Sequence, residues 1–247
     1  MLNRSLIDIF NEHAETIDPR FKKNYLARAT RLKKHLAEKE IPEEVLTRAK
    51  YPQFFPYFRQ QLNYDSCGLN ALRNVFMASH GAVLDESILI QIAERQFGIR
   101  IDGVGVPNIF MPRLICYFNE TISREHLKIF TSAEGTLEQL DYLTANGYTP
   151  IINSYRPEIG ENTTHYEAFF GFRRESQDEY GDVYGILYNS YWQPKGTRGF
   201  HKVRKDDFMR YWHCDGQCGD PKGYWFVGAV NGLPLPHNFK GELLISP

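Results

Sequence analysis

The order of the periodic patterns along the chain most constrains its fold, because segments with helical patterns come first and strand-like segments follow. After residue 55, helical patterns span residues 67–79, 87–97 and 112–119, and the first of these places Leu69 and Leu72 on one face. Beyond them, β-branched and aromatic residues concentrate in five short segments, at residues 127–130, 149–153, 166–172, 183–189 and 224–230. Because helices and strands do not alternate regularly, the sequence predicts an α+β fold, with helices and a mostly antiparallel sheet in two packed layers.

Residues 1–55 form a separate compositional region. Residues 1–50 lack glycine and are rich in Glu, Lys, Arg, Ala and Leu, and Leu6, Ile9 and Phe10 stand at helical spacing. We expect two or three short helices that form an N-terminal helical extension or lid, followed by a main domain over residues 56–247. Acidic residues flank the basic run between positions 20 and 35, which indicates a solvated helix face rather than a nucleic-acid site.

Composition excludes several classes of protein. The chain has 247 residues, of which 42% are hydrophobic and 24% charged, as in folded globular proteins. A net charge of −1 gives no general attraction to nucleic acids, so we expect no nucleic-acid partner. No run of about 20 apolar residues predicts a membrane span, and the N-terminus lacks the basic and then apolar pattern of a secretory signal. We therefore expect a cytoplasmic protein, or an effector exported without a cleaved signal peptide.

The strongest chemical signal begins at Gln61. Cys67 stands where a helix is predicted to begin, and Asp65 or Ser66 can cap that helix. Because a helix N-terminus favours a thiolate over a thiol, this position suits a nucleophilic cysteine. Gly68 has no side chain to block a substrate. Gln61, six residues before Cys67, could donate its amide N–H to an oxyanion together with the backbone N–H of Cys67.

A cysteine nucleophile needs a base, and His165 stands out among the eight histidines. It begins a predicted strand in which it shares one face with Glu167. If this strand pairs as a hairpin with the segment that ends at Asn189, the register places Asn189 opposite Tyr166 and beside His165. The Asn189 side chain could then orient the imidazole. Two other polar residues compete for this third role: Asn153 and Asp182.

In that chain order, Gln61, Cys67, His165 and Asn189 resemble the catalytic residues of the papain-like cysteine peptidases. Asn189 opens the sequence Asn-Ser-Tyr-Trp, which is similar to the Asn-Ser-Trp segment of that superfamily. The interval of 98 residues between Cys67 and His165 is shorter than that of papain. It is nearer to the compact branch that contains bacteriocin leader peptidases of the double-glycine type. Three motifs are similar to that branch: Gln61 with Cys67-Gly68, Thr164-His165-Tyr166, and the segment from Asp207 to Trp212.

The resemblance covers about residues 56–230 and implies a papain-like fold with thiol chemistry. It implies a hydrolase in which Cys67 attacks a peptide or isopeptide carbonyl and forms a thioester. His165 is then the base, Asn189 orients it, and Gln61 belongs to the oxyanion hole. The expected partner is a protein or peptide substrate, without a cofactor or a metal ion, and the oligomeric state stays open. Acyl transfer or deamidation by the same residues, and a catalytically silent binding module, are the alternative functions.

The other three cysteines are expected to have no catalytic role. Cys116 lies in an apolar helical segment and is predicted to be part of the core. Cys214 and Cys218 follow His213 closely, and thiolate and imidazole groups bind zinc. A structural zinc ion needs four ligands, however, and no second compact pair of Cys or His exists. We therefore expect two free thiols or a labile disulfide at these positions.

Overall fold

The computed structural model describes most of the chain after residue 57: residues 58, 60–80, 85–118, 127–132, 135–146, 148–156, 164–174, 183–190, 199–213, 225–230 and 242–244. The extension predicted at residues 1–55 lies outside the described residues, as do Cys214, Cys218 and Asp182. Among the described helices, none combines the length and the apolar character needed to cross a membrane.

The described residues form helices in both halves of the chain. The helices are α1 (Cys67–His80), α2 (Glu86–Phe97), α3 (Met111–Phe118), α4 (Leu137–Ala145) and α5 (Lys205–His213), with a 3-10 turn at Asn108–Phe110 before α3. The strands are β1 (Leu127–Ser132), β2 (Ile151–Tyr155), β3 (Thr164–Arg174), β4 (Val183–Asn189), β5 (Gly199–Arg204), β6 (Trp225–Val230) and β7 (Glu242–Leu244). The three helices and five strands predicted from the sequence are confirmed, with ends that differ by a few residues.

All seven strands belong to one sheet, in the order β5-β4-β3-β2-β6-β1-β7, and every neighbouring pair is antiparallel. The predicted combination of helices with an antiparallel sheet is thus confirmed. Strands β2 and β3 lie in the middle of the sheet, and helix α1 packs mainly on β3. The sheet therefore holds the start of β3, where His165 lies, under the helix that begins at Cys67.

Helices cover the sheet on both faces, whereas the sequence predicted two layers. Alternate residues of β2 and β3 point in opposite directions, so Ile151 and Ala168 pack with α1 to α3, and Ile152 and Phe169 pack with α4 and α5. The helices α4 and α5 form the additional layer, since buried Leu140, Leu143, Phe208 and Trp212 cover the second face. Central strands that are buried on both faces lose the apolar-polar alternation that a one-sided sheet shows.

The sequence carried signals for the two helices that were not predicted. At the start of α4, Thr136 and Gln139 form a capping box, in which each side chain accepts a hydrogen bond from the backbone N–H of the other residue. Helix α5 has Asp206 and Asp207 in its first turn and Arg210 in its last turn, which complements the helix dipole.

Candidate active site

Cys67 is the first residue of α1, and its sulfur lies against the start of β3. The backbone N–H groups of Tyr166 and Gly68 both donate hydrogen bonds to the sulfur. Tyr166 is joined to His165 by one peptide bond. The hydrogen bond therefore brings the predicted nucleophile to the backbone beside the predicted base.

The sulfur lies beside the part of β3 that strand β4 does not cover. On the other edge of β3, the N–H of Phe169 points toward β2, where it donates to the carbonyl of Pro150 at 2.9 Å. Because N–H groups alternate in direction along a strand, the N–H of Tyr166 points toward β4. Strand β4 ends at Asn189, one residue beyond the pair of Tyr188 with Ala168, so it does not extend opposite Tyr166.

The absence of a side chain at Gly68 lets α1 approach β3 this closely. A Cβ atom at position 68 would lie 3.0 Å from Val106 Cβ, 3.1 Å from Met111 Cε and 3.1 Å from Tyr166 Cδ2. These distances are shorter than ordinary van der Waals contacts. The sequence suggested that this glycine leaves space for a substrate, whereas in the structure its immediate effect is on helix packing.

Cys67 is partly buried, and burial raises the pKa of its thiol from 9.0 to about 11. The N–H groups of Tyr166 and Gly68 lower this pKa, but by less than burial raises it, and the carboxylates of Asp65 and Glu167 raise it further. At neutral pH the sulfur is therefore protonated, whereas the position at a helix start predicted a thiolate. A nucleophilic role for Cys67 thus requires a base that removes the proton during the reaction.

Gln61 is buried, and its hydrogen bonds connect the loop before α1 to the end of β4. Its backbone N–H donates to the carbonyl of Ser190 at 3.0 Å, and its Oε1 accepts from Ser190 Oγ at 2.9 Å. Its Nε2 donates to the carbonyls of Asn63 at 2.9 Å and Tyr64 at 2.6 Å. Both amide hydrogens are thus engaged in the turn that leads to Cys67.

His165 is buried, with 2% of its surface exposed, and pairs with Ser154 of β2. The alternation along β3 puts His165 on the same face as Glu167, as predicted, and Tyr166 on the opposite face toward α1. Asn153 pairs with Tyr166 and donates from Nδ2 to Asn108 Oδ1 at 2.8 Å, so it lies on the face opposite His165.

The predicted hairpin of β3 and β4 is confirmed, but its register differs by one residue at Asn189. Ala168 pairs with Tyr188, so continuing the register places Asn189 opposite Glu167 instead of Tyr166. The difference arises because β3 continues to Arg174, which pairs with Val183, and because the register shifts between Phe169 and Gly171. Asn189 itself pairs with Gly199 of β5.

A buried carboxylate that was not predicted supports the loop around Cys67. Glu86, the first residue of α2, is fully buried, and its Oε1 accepts from the backbone N–H of Leu62 at 2.9 Å and from Ser66 Oγ at 2.7 Å. Its Oε2 accepts from Asn70 Nδ2 at 2.6 Å. The Asp65 carboxylate accepts from the N–H of Gly103 at 2.8 Å. Asp65 and Ser66, predicted as possible helix caps, therefore connect the loop to two other segments.

No protein-family model matches the chain, and no curated protein matches it. Among the described residues, no group of three or more His, Cys, Asp or Glu side chains could hold a metal ion. Within the same residues, neither Cys67 nor Cys116 forms a disulfide.

Proposed function

We propose that the protein is a papain-like cysteine peptidase that cleaves a peptide or isopeptide bond with Cys67, His165 and Asn189. One observation carries the proposal: the Cys67 sulfur, at a helix N-terminus, accepts the N–H of the residue that follows His165. The segments that contain the other two candidates, Gln61 and Asn189, are also in contact. Gln61 forms two hydrogen bonds with Ser190, the neighbour of Asn189. The three chain segments that carry the candidate residues are therefore in contact, which supports the proposal.

The proposed reaction begins with the Cys67 thiol. His165 takes the proton from the sulfur as the sulfur attacks the substrate carbonyl, and a tetrahedral oxyanion forms. His165 then gives the proton to the leaving amine, the C–N bond breaks, and a thioester to Cys67 remains. A water molecule attacks the thioester while His165 takes its proton. Collapse of the second tetrahedral intermediate releases the acid, and the proton returns to the sulfur.

The oxyanion is expected to bind at the N-terminus of α1. The backbone N–H of Cys67 lies in the first turn of a helix, where N–H groups have no intrahelical acceptor. Gln61 is the second proposed donor, and it would have to exchange one of its hydrogen bonds to Asn63 or Tyr64 for the oxyanion. Gln61→Ala should then lower kcat by a factor on the order of 10² with little change in KM. Ser190→Ala, which leaves the amide hydrogens in place, is the matched control and should have a smaller effect.

The decisive experiment is incubation of the purified protein with a complex protein mixture, followed by mass spectrometry of the products. New peptide termini that appear with the wild type, and not with Cys67→Ala or His165→Ala, are expected for a peptidase. Cys116→Ala is the control and should retain activity, because Cys116 lies on α3. A mass increase of about 1 Da at glutamine, or new crosslinks, would instead indicate deamidation or acyl transfer by the same residues. Wild-type products that also form with Cys67→Ala would contradict the proposal.

We further propose that the protein acts in a reducing compartment such as the cytoplasm, because a proposed nucleophile must remain a free thiol.

A further inference from the structure

We infer that Glu167 is a positioning residue for His165, and that its buried carboxylate stabilises the imidazolium that forms when His165 takes the proton of Cys67. The inference rests on the proposed function, and it adds a buried acid to a site in which only Asn189 was expected to assist the histidine. Glu167 receives no proton in this scheme, since the proton moves only between the sulfur, the imidazole and the leaving group.

One carboxylate oxygen of Glu167 accepts hydrogen bonds from the described residues, and the other does not. Glu167 is fully buried in β3. Its Oε2 accepts from Arg156 through Nε at 2.9 Å and through Nη2, and from Ser154 Oγ at 3.3 Å. Its Oε1 has no hydrogen-bond donor among the described residues, although it is equally shielded from water. A buried carboxylate oxygen without a donor is uncommon and calls for a functional explanation.

The neighbouring histidine of β5, His201, does not donate a hydrogen bond to Oε1 of Glu167. His201 Nε2 lies 3.4 Å from Glu167 Oε1 and 3.1 Å from Arg156 Nη2. A guanidinium can only donate, so Nε2 of a neutral His201 accepts from Arg156 and cannot also donate to the carboxylate. The ring proton is then on Nδ1, which lies 3.3 Å from the carbonyl of Gly199.

Glu167 and the proposed base, His165, belong to the same strand. The two side chains project from the same face of β3, two residues apart, and burial keeps water from screening their interaction. Burial would raise the pKa of Glu167, but the charge of Arg156, joined by those of His201 and His165 when these are protonated, lowers it, so the carboxylate is ionised at neutral pH. The attraction is mutual, and the carboxylate favours the charged form of His165 in turn.

Glu167 should act on the two partners of the proton transfer in opposite directions. Its charge stabilises an imidazolium at His165, while the same charge raises the pKa of the Cys67 thiol. At neutral pH the thiolate forms only together with the imidazolium, so Glu167 should assist. Above about pH 10, where the proton is lost to solvent and His165 stays neutral, Glu167 should only oppose thiolate formation.

The experiment is the pH dependence of Cys67 alkylation by iodoacetamide, measured by peptide mass spectrometry with Cys116 as the internal reference. Glu167→Gln should slow alkylation of Cys67 about tenfold near pH 7 and accelerate it above about pH 10. In a His165→Ala background, Glu167→Gln should accelerate alkylation at every pH. A purely structural role would change the rate in one direction across the whole pH range.

Arg156→Gln is the second variant and keeps the inference testable if Glu167→Gln does not fold. It removes the main counter-charge of the carboxylate, which is still ionised above about pH 10, so alkylation there should be slower than in the wild type, opposite to the effect of Glu167→Gln. If either folded variant, judged by near-UV circular dichroism, follows the wild-type rate at all pH values, the role of Glu167 is refuted. If His165→Ala leaves the wild-type profile unchanged, the coupling of Cys67 to His165 fails instead, and with it the proposed function.

Discussion

Cys67 has the position of an activated thiol but the pKa of a buried one. Two backbone N–H groups donate to its sulfur, yet burial outweighs them and raises the pKa of the thiol to about 11. The N-terminus of α1 is therefore better suited to stabilise negative charge that develops on an oxyanion than to hold a resting thiolate. The proposed mechanism therefore needs His165 as a general base during the reaction, and groups that stabilise its imidazolium should affect the rate.

The raised thiol pKa has a measurable effect on stability. Because the pKa of Cys67 is about 11 in the folded chain and ordinarily 9.0, the folded state keeps its proton longer than the unfolded state. The stability linked to this thiol is present below about pH 9 and is lost as the pH rises toward 11. Between about pH 8 and pH 11, the free energy of unfolding of the wild type should fall by about 2–3 kcal/mol more than that of Cys67→Ser. Urea denaturation of both proteins measures the difference, and parallel pH curves would show that the sulfur is not desolvated.

The residue types of the candidate site and their order along the chain could be predicted from the sequence. The hydrogen-bond and ion-pair partners of their side chains could not. The cysteine at a helix start and the shared face of His165 and Glu167 follow from local patterns. The hydrogen bonds of Glu86 to Ser66 and Asn70 join residues that are 20 and 16 positions apart, and no local rule specifies such pairs. The ion pair of Glu167 with Arg156 likewise depends on how β2 ends beside β3.

Helix α1 and strand β3 are the two elements whose contact assembles the candidate site. Gly68→Ala would place a Cβ atom 3.0 Å from Val106 Cβ, and the helix must shift to relieve this contact. We expect a loss of about 1–2 kcal/mol in the free energy of unfolding, because crowding exceeds the gain in helix propensity. Cys67 alkylation should also change, since its hydrogen bond to Tyr166 moves with the helix.

Gly98→Ala is the matched control for that substitution. Gly98 ends α2 with a φ of 66°, and a Cβ atom there would meet no other atom within 4 Å. The control should cost about 1 kcal/mol through backbone strain and leave Cys67 alkylation unchanged. Equal effects of the two substitutions on Cys67 would refute the role assigned to Gly68.

The hydrogen bonds of Glu86 attach α2 to the loop that contains Cys67, and their loss should be measurable. Glu86→Ala removes an acceptor from the N–H of Leu62 and from the side chains of Ser66 and Asn70, and it leaves the last two donors buried. We expect a loss on the order of 2–4 kcal/mol in the free energy of unfolding, together with altered Cys67 alkylation. Glu94→Ala, an exposed change on the same helix, should stay within about 0.5 kcal/mol of the wild type. Similar unfolding curves for the two variants in urea would contradict the structural role of Glu86.

Helices and strands were predictable where a single hydrophobic period dominates the local sequence, and they were missed where it does not. Helix α1 and strands β3 and β4 have strong patterns, and their pairing followed from the chain order. The one-residue error in the register arose because β3 continues to Arg174, two residues beyond its predicted end, and because the shift between Phe169 and Gly171 then changes the pairing by one residue without changing the apolar pattern. Helix α4 has a recognisable cap, but its role on the second face of the sheet depends on the buried Phe169 and Leu187.

For the whole molecule, the relation of residues 1–55 to the main domain is the largest question that the sequence raised. The described part of the chain begins with Phe58, which is 9% exposed and packs on the sheet. Its ring centroid lies 5.0 Å from that of Tyr188, 5.8 Å from Phe200 and 6.1 Å from Phe170. This aromatic cluster makes Phe58 part of the main domain, and the boundary at residue 55 stays a prediction.

We predict that a chain consisting of residues 56–247 folds with a melting temperature within a few degrees of that of the full chain, because Phe58 is retained. Phe58→Ala in this shorter chain should cost about 3–5 kcal/mol, whereas Tyr64→Ala, at a side chain that is 59% exposed, should cost less than about 0.5 kcal/mol. Thermal unfolding followed by near-UV circular dichroism distinguishes these outcomes. If residues 1–55 act as a lid, alkylation of Cys67 should be faster in the shorter chain, and an equal rate would exclude that role. Failure of residues 56–247 to fold would show that the extension is part of the core and that the boundary at residue 55 is wrong.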